Sequence, residues 1–138
     1  NLRPWLRGFS EAERRYIVAN TLCRLATASK DATPHVTPVI YVYDVRHFYI
    51  AIDYGEKKLK NLQENIKVAL VVDDQWKGRS RGIMIQGECE ILERGYSYRY
   101  ALKLLFDRFE VYRKKPWGEG EAPILKIKPL KWASWRIQ

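Results

Sequence analysis

Apolar and polar positions alternate with a period of two along most of the chain, and three stretches switch to helical spacing. Ser10 followed by Glu13 has the capping-box spacing and predicts a helix from Glu11 to about Asn20, with Tyr16 and Ile17 facing inward. Leu22 to Ala28 reads as a strand of short apolar residues, and Ser29-Lys30-Asp31-Ala32 as a turn. His35 to Tyr43 is β-branched and aromatic, which predicts a second strand. The turn Asp44-Val45-Arg46 leads into a third strand over Phe48 to Ile52.

Further along, Leu59 and Leu62 stand among charged residues, so Lys57 to Glu64 is predicted as a short amphipathic helix. Val68 to Val72 is apolar throughout, as a fully buried strand would be. After a polar loop, Ile83 to Leu92 alternates as a long strand, with Gly87 a candidate bulge. Tyr98 to Arg108 sets Leu102, Leu105 and the adjoining Phe109 on one side of a helix. Ile124 to Ile127 and Trp132 to Ile137 are read as two closing strands. Six or so strands with hairpin-length connections predict a mainly β, antiparallel barrel or sandwich with a few short flanking helices.

A length of 138 residues suits one domain, residues 1–138, with a sizeable core. No apolar run approaches the ~20 residues of a membrane helix, and no secretory signal pattern opens the sequence. A soluble, cytoplasmic protein without membrane partners is the expectation. Cys23 and Cys89 are too few for a disulfide framework and are not spaced for zinc, so no metal is expected. Twenty-five basic against 16 acidic residues leave a net charge of +9, which attracts anions: phosphorylated small molecules, nucleic acid or acidic headgroups. One reading is therefore a basic small barrel that binds nucleic acid without catalysis, using Trp76 among basic residues and the tyrosines Tyr41, Tyr43 and Tyr49.

Familiar catalytic groups are scarce. His35 and His47 are the only histidines, and no metalloprotease, nucleophile-elbow or P-loop motif occurs. Cysteines in strands are more often core than nucleophile. The informative stretch is Ile50 to Asn65, where a strand ends, a turn containing Gly55 follows, and Lys57 and Lys58 stand at a helix start. A helix N-terminus already carries positive potential, so two ammonium groups there are disfavoured unless an anion such as a phosphate binds. A solvated, charged helix face is the other reading of the same residues.

The order Tyr54, Lys57-Lys58, Leu62, Asn65 resembles the strand-to-helix motif of pyridoxamine 5'-phosphate oxidase and the wider FMN-binding split-barrel group. Leu25-Ala26-Thr27-Ala28 and Thr33-Pro34-His35-Val36-Thr37-Pro38-Val39 are similar to that group's first hairpin. Trp76, Arg81 and Gly87-Glu88-Cys89-Glu90, then Ile127-Lys128-Pro129 and Trp135, extend the resemblance from Leu22 to Trp135. It implies a six-stranded antiparallel split β-barrel and an FMN cofactor, with a deazaflavin or haem as the alternatives that related families bind. It further implies that Lys57 and Lys58 hold the FMN phosphate beside Tyr54, and that His35, Val36, Thr37, Pro38 and Val39 line the flavin ring. Trp76 and Trp135 would approach the cofactor or substrate across the interface of a homodimer, core packing being the other role for each.

Four residues depart from the oxidase pattern. Ile52 and Glu56 stand where it has hydroxyl residues around the phosphate, Gly82 where it has a flavin-contacting glutamine, and Ile66 where it has a proline. The oxidase's substrate-phosphate arginine and histidine have no clear counterpart before Gln138. The resemblance thus implies a flavin-dependent oxidoreductase acting on another small molecule, or a flavin binder, rather than pyridoxamine-phosphate oxidation.

Overall fold

A computed structural model of the chain describes residues 8–138. Ser10 caps the first helix, α1 (Glu11–Ala19): its hydroxyl accepts from the Glu13 N–H, and the Glu13 carboxylate accepts in return from the Ser10 N–H. The chain then runs through β1 (Leu22–Ala28), β2 (Pro34–Ile40), β3 (Val42–Tyr43), β4 (Phe48–Ala51), α2 (Lys57–Glu64), β5 (Lys67–Trp76) and β6 (Arg79–Leu92). Two helices, α3 (Tyr96–Arg108) and α4 (Glu110–Lys114), precede the last strand, β7 (Ile124–Trp135).

All pairings are antiparallel, and the strands form one curled sheet in the order β2-β1-β5-β6-β7-β4-β3. The sheet has seven strands where six or so are expected, and three boundaries differ from the sequence reading. The second predicted strand divides at Tyr41, where the chain passes from pairing with β1 to pairing with β4. The two predicted closing strands are one, since a register shift opposite Gln86 and Gly87 accommodates Pro129 and Leu130 within β7. Gly87 belongs at that bulge: a Cβ there would collide with the Lys128 carbonyl oxygen. The predicted polar loop after Val72 is the outer half of a hairpin, closed by Lys77 and Gly78 with φ of 52° and 73°, as a primed two-residue turn requires. α4 adds a short helix beyond the one expected to end at Arg108.

The core lies inside the curl. Leu25, Phe48, Ile50, Leu70, Val72, Ile83, Ile85 and Ile127 form its centre, capped by Tyr16 and Ile17 of α1 and by Leu59 and Leu62 of α2. A second cluster joins Tyr98, Ala101 and Leu105 of α3 to Tyr49, Leu92 and Ile124, with Phe109 just beyond the helix. β4 is therefore apolar on both faces, which explains its unbroken Phe48-Tyr49-Ile50 run. No helix among the described residues is long and apolar enough to cross a membrane.

Candidate functional site

The turn from β4 into α2 is closed by backbone. The Ile52 N–H donates to the Pro123 carbonyl at 3.1 Å, and the Glu56 N–H to that of Asp53 at 3.3 Å. α2 follows over the eight residues predicted for it, burying Lys58, Leu59, Asn61 and Leu62. The leucines enter the core. Lys58 and Asn61, one turn apart and hence neighbours on the helix surface, are the polar part of the same buried side. Lys57 and Lys60 are exposed.

Asn61 reaches β1, where its Nδ2 donates to Thr27 Oγ1 at 3.0 Å. Thr27 pairs across the sheet with His35, and Leu25 with Thr37, so Thr27, His35 and Thr37 share one face of the β1–β2 hairpin. His35 Nδ1, Thr37 Oγ1 and Asn61 Oδ1 are buried there without a hydrogen-bond partner. Unpaired buried polar atoms are costly, and a polar ligand that bonded to them would relieve that cost.

Lys58 is only 6% exposed, and its ammonium pairs with Glu56 Oε1. The other carboxylate oxygen, Oε2, accepts from the Asp53 N–H at 2.6 Å. Burial opposes ionisation of Glu56, but the hydrogen bonds from Asp53 and Lys58 outweigh it and hold the carboxyl below its ordinary range. A buried cation, a bound carboxylate and three unsatisfied polar atoms thus meet where α2 packs on the β1–β2 hairpin.

The other expected site residues are dispersed. Val36 and Pro38 point to the opposite face of β2 and are exposed, while Val39 packs on the core. Tyr54 donates its hydroxyl to Glu93 Oε1 at 2.8 Å, tying the α2 turn to the end of β6. Trp76 and Trp135 lie at the far end of β5, β6 and β7. From Ala69, which pairs with Ala26 beside Thr27, to Trp76 the strand runs seven residues, about 23 Å. Trp135 donates its indole N–H to Ser80 Oγ at 3.0 Å, and its ring fills the space beside Gly82, where a Cβ would lie 2.8 Å from it. Trp76 is half-exposed, with Lys77 and Arg81 over its ring at 4.3 and 5.1 Å, beside a depression of about 460 Å³ that Arg79 and Arg136 also line.

Thr27, Asn61 and the pairing role of Glu56 were not singled out from sequence. A polar Asn61 between Leu59 and Leu62 on a buried helix side was the available signal. Burial pushes the thiols of Cys23 and Cys89 up to about 12, which keeps them protonated and unreactive near neutrality. His47 sits apart, in the turn between β3 and β4, and no group of three or more metal-ligating side chains occurs among the described residues. On the outer face, Ala26, Ala28 and Ala69 leave a depression of about 520 Å³ that reaches Pro34 and Leu130. Half-exposed Leu22 and strongly exposed Val36 extend this apolar surface along β1 and β2.

Comparison with known proteins places this architecture. The chain is 26% identical over 152 residues to a pyridoxine/pyridoxamine 5'-phosphate oxidase of Rippkaea orientalis, covering 94% of this chain and 68% of that protein. Its fold is similar to that of the haem storage protein HutZ of Vibrio cholerae (TM-score 0.76, 13% identity, 88% and 90% of the two chains). It is also similar to an FAD-binding protein of Mesorhizobium loti (TM-score 0.70, 23% identity, 91% and 92% of the chains). The curled sheet with its short helices is thus a split barrel. The family model described as pyridoxamine 5'-phosphate oxidase matches residues 9–136, the whole sheet and every helix described, and the chain belongs to that family.

Proposed function

We propose that the chain is an FMN-binding oxidoreductase that works as a homodimer on a small molecule other than pyridoxamine phosphate. The observation that carries this reading is the buried Lys58 ammonium at the start of α2, among the unpartnered polar atoms of His35, Thr37 and Asn61. A solvated helix face would leave Lys58 in water, as it leaves Lys57 and Lys60. In this reading Lys58 takes the cofactor's phosphate and Lys57 adds charge from the rim. His35 and Thr37 offer side-chain hydrogen bonds on the inner face of β2, while Val36 and Pro38 lie on the outer face.

FMN supplies a two-electron carrier, so the thin inventory of protein acids and bases is no obstacle. Trp76 and Trp135 stand too far from Lys58 along the strands to act with it in one protomer. For either tryptophan to act at the site, the partner of a homodimer would have to supply it.

Absorption of the purified protein tests the cofactor, with oxidised flavin bands expected near ~370 and ~450 nm. A haem spectrum instead, or no flavin bands and no FMN binding at micromolar concentration, would overturn the reading. Light scattering should return the dimer mass, and a monomer of 16.3 kDa would remove the role given to Trp76 and Trp135. The basic depression around Trp76 favours one competing function, nucleic-acid binding, which a steep fall of oligonucleotide affinity with salt would reveal.

A further inference from the structure

The two donors best placed to hold an anion at the start of α2 are already in use. Glu56 Oε1 takes the Lys58 ammonium, and Oε2 takes the Asp53 N–H at 2.6 Å. Glu56 occupies the N-cap position of α2, yet its side chain makes no capping bond to the helix. Pairing with Lys58, rather than capping, therefore fixes where the carboxylate lies.

We propose that Glu56 is a resident counter-ion that a ligand's phosphate must displace, so that this one residue sets how strongly the chain prefers a phosphorylated flavin to an unphosphorylated one. The proposal rests on the flavin reading above and adds a determinant to it. A phosphate carrying −1.5 to −2 charges beside a fixed carboxylate is repelled, and one ammonium cannot neutralise both. Without a ligand, the carboxylate keeps the buried Lys58 charge compensated, which would otherwise be costly to the fold.

The displaced carboxylate has a destination. A depression of about 350 Å³ beyond Glu56 is lined by Asp53, Tyr112, Lys115 and Trp117. Lys115 forms no ion pair among the described residues, so it can receive Glu56 when Lys58 turns to the phosphate. The groups facing Glu56 are then Lys58 on its own helix, His35 from β2, and Asp53, Tyr112, Lys115 and Glu121 around the depression.

Flavin-fluorescence titration of wild type and Glu56→Gln with FMN and with riboflavin tests this. Glutamine keeps an acceptor for the Asp53 N–H and removes only the charge. FMN should bind at least tenfold more tightly to Glu56→Gln, with riboflavin changed less than twofold. Glu56→Ser, a smaller residue with a hydroxyl, should shift FMN in the same direction, which guards against one variant folding poorly. In a Lys58→Met background, Glu56→Gln should alter FMN affinity much less, because the cation being contested is gone.

Unchanged or weaker FMN binding in both Glu56 variants would overturn the proposal, as would equal tightening of FMN and riboflavin. If wild type binds FMN and Glu56 has no effect, the counter-ion role fails alone and the flavoprotein reading stands. If neither flavin binds wild type or variants, both fail together.

Discussion

Asn61 and Thr27 fasten α2 to the sheet through one buried hydrogen bond, Nδ2 to Oγ1 at 3.0 Å, between residues that are 1% and 3% exposed. The bond fixes the rotation of the helix about its axis, and that rotation decides whether Lys58 faces the β1–β2 hairpin or the solvent. Asn61→Ala leaves the Thr27 hydroxyl buried and unpaired, at a cost of about 1–3 kcal/mol. Adding Thr27→Val should recover part of the loss, because two matched apolar groups leave nothing unsatisfied. Urea denaturation of the two single variants and the double variant measures both steps.

Lys58 and Lys60 provide a contrast within one helix. Lys58→Ala should weaken FMN binding about ten- to a hundredfold, the equivalent of about 1.5–3 kcal/mol for a charge-assisted contact in a partly desolvated site. Riboflavin should respond far less. Lys60→Ala, on the exposed side, should leave both affinities alone. Equal losses for FMN and riboflavin in Lys58→Ala would show that the residue holds the fold rather than a phosphate.

Val45 is a β-branched residue held at φ 82° in the turn between β3 and β4, and it is 62% exposed. Such a conformation is strained for valine and open to glycine. The turn is kept by Asp44, whose Oδ1 accepts from the N–H groups of Arg46 and His47 at 3.0 and 2.7 Å. Val45→Gly should therefore stabilise the protein by about 1 kcal/mol, visible as a rise of a few degrees in Tm. A fall would mean that the valine side chain contributes more than its exposure suggests.

Acid should destabilise the fold in two stages. Burial, then the nearby Lys126, holds the His47 imidazole below its ordinary 6.5, so the unfolded chain takes up that proton first. Stability then falls as pH drops from 6.5 through the lower folded value. Burial would raise Asp44, but the His47 N–H, the Tyr100 hydroxyl and the Arg46 N–H hold it below 3.8. Glu56 lies below 4.5 through Asp53 and Lys58 despite its burial. These two carboxylates contribute fully above their ordinary values, and their contribution is lost as pH falls through the depressed ones. Tm followed from pH 7 to 3 should drop in both ranges. His47→Gln should flatten the first drop, and Asp44→Asn should lower Tm at pH 7 while flattening the second.

Local signals in the sequence were sufficient for the helices that carry their own caps or stripes. Ser10 and Glu13 announce α1, and Leu59 with Leu62 gives the bounds of α2. Strand ends were less legible wherever a distant contact decides them. The second predicted strand divides at Tyr41, because β2 before it pairs with β1 and β3 after it pairs with β4. Asp73, Asp74 and Gln75 read as loop, yet they pair with Gly82, Arg81 and Ser80 across a hairpin. At the site, the placement of two lysines at a helix start was readable, since spacing alone puts them there. Which of them is buried, and that Glu56 answers it, depends on the helix rotation fixed by Asn61 on Thr27. Those residues lie 34 positions apart, and no local pattern reports such a contact.

β2 is an edge strand of the sheet, and Pro34 and Pro38 stand on it. The Tyr41 N–H turns inward to the Thr21 carbonyl, so the odd-numbered residues of β2 serve β1 and the even-numbered ones face the open edge. Two of the four outward amide positions, 34, 36, 38 and 40, are thus prolines without an N–H. A strand from another molecule would find donors only at Val36 and Ile40, too few for a continuous ladder. This edge of the sheet is in this way closed to runaway cross-β stacking.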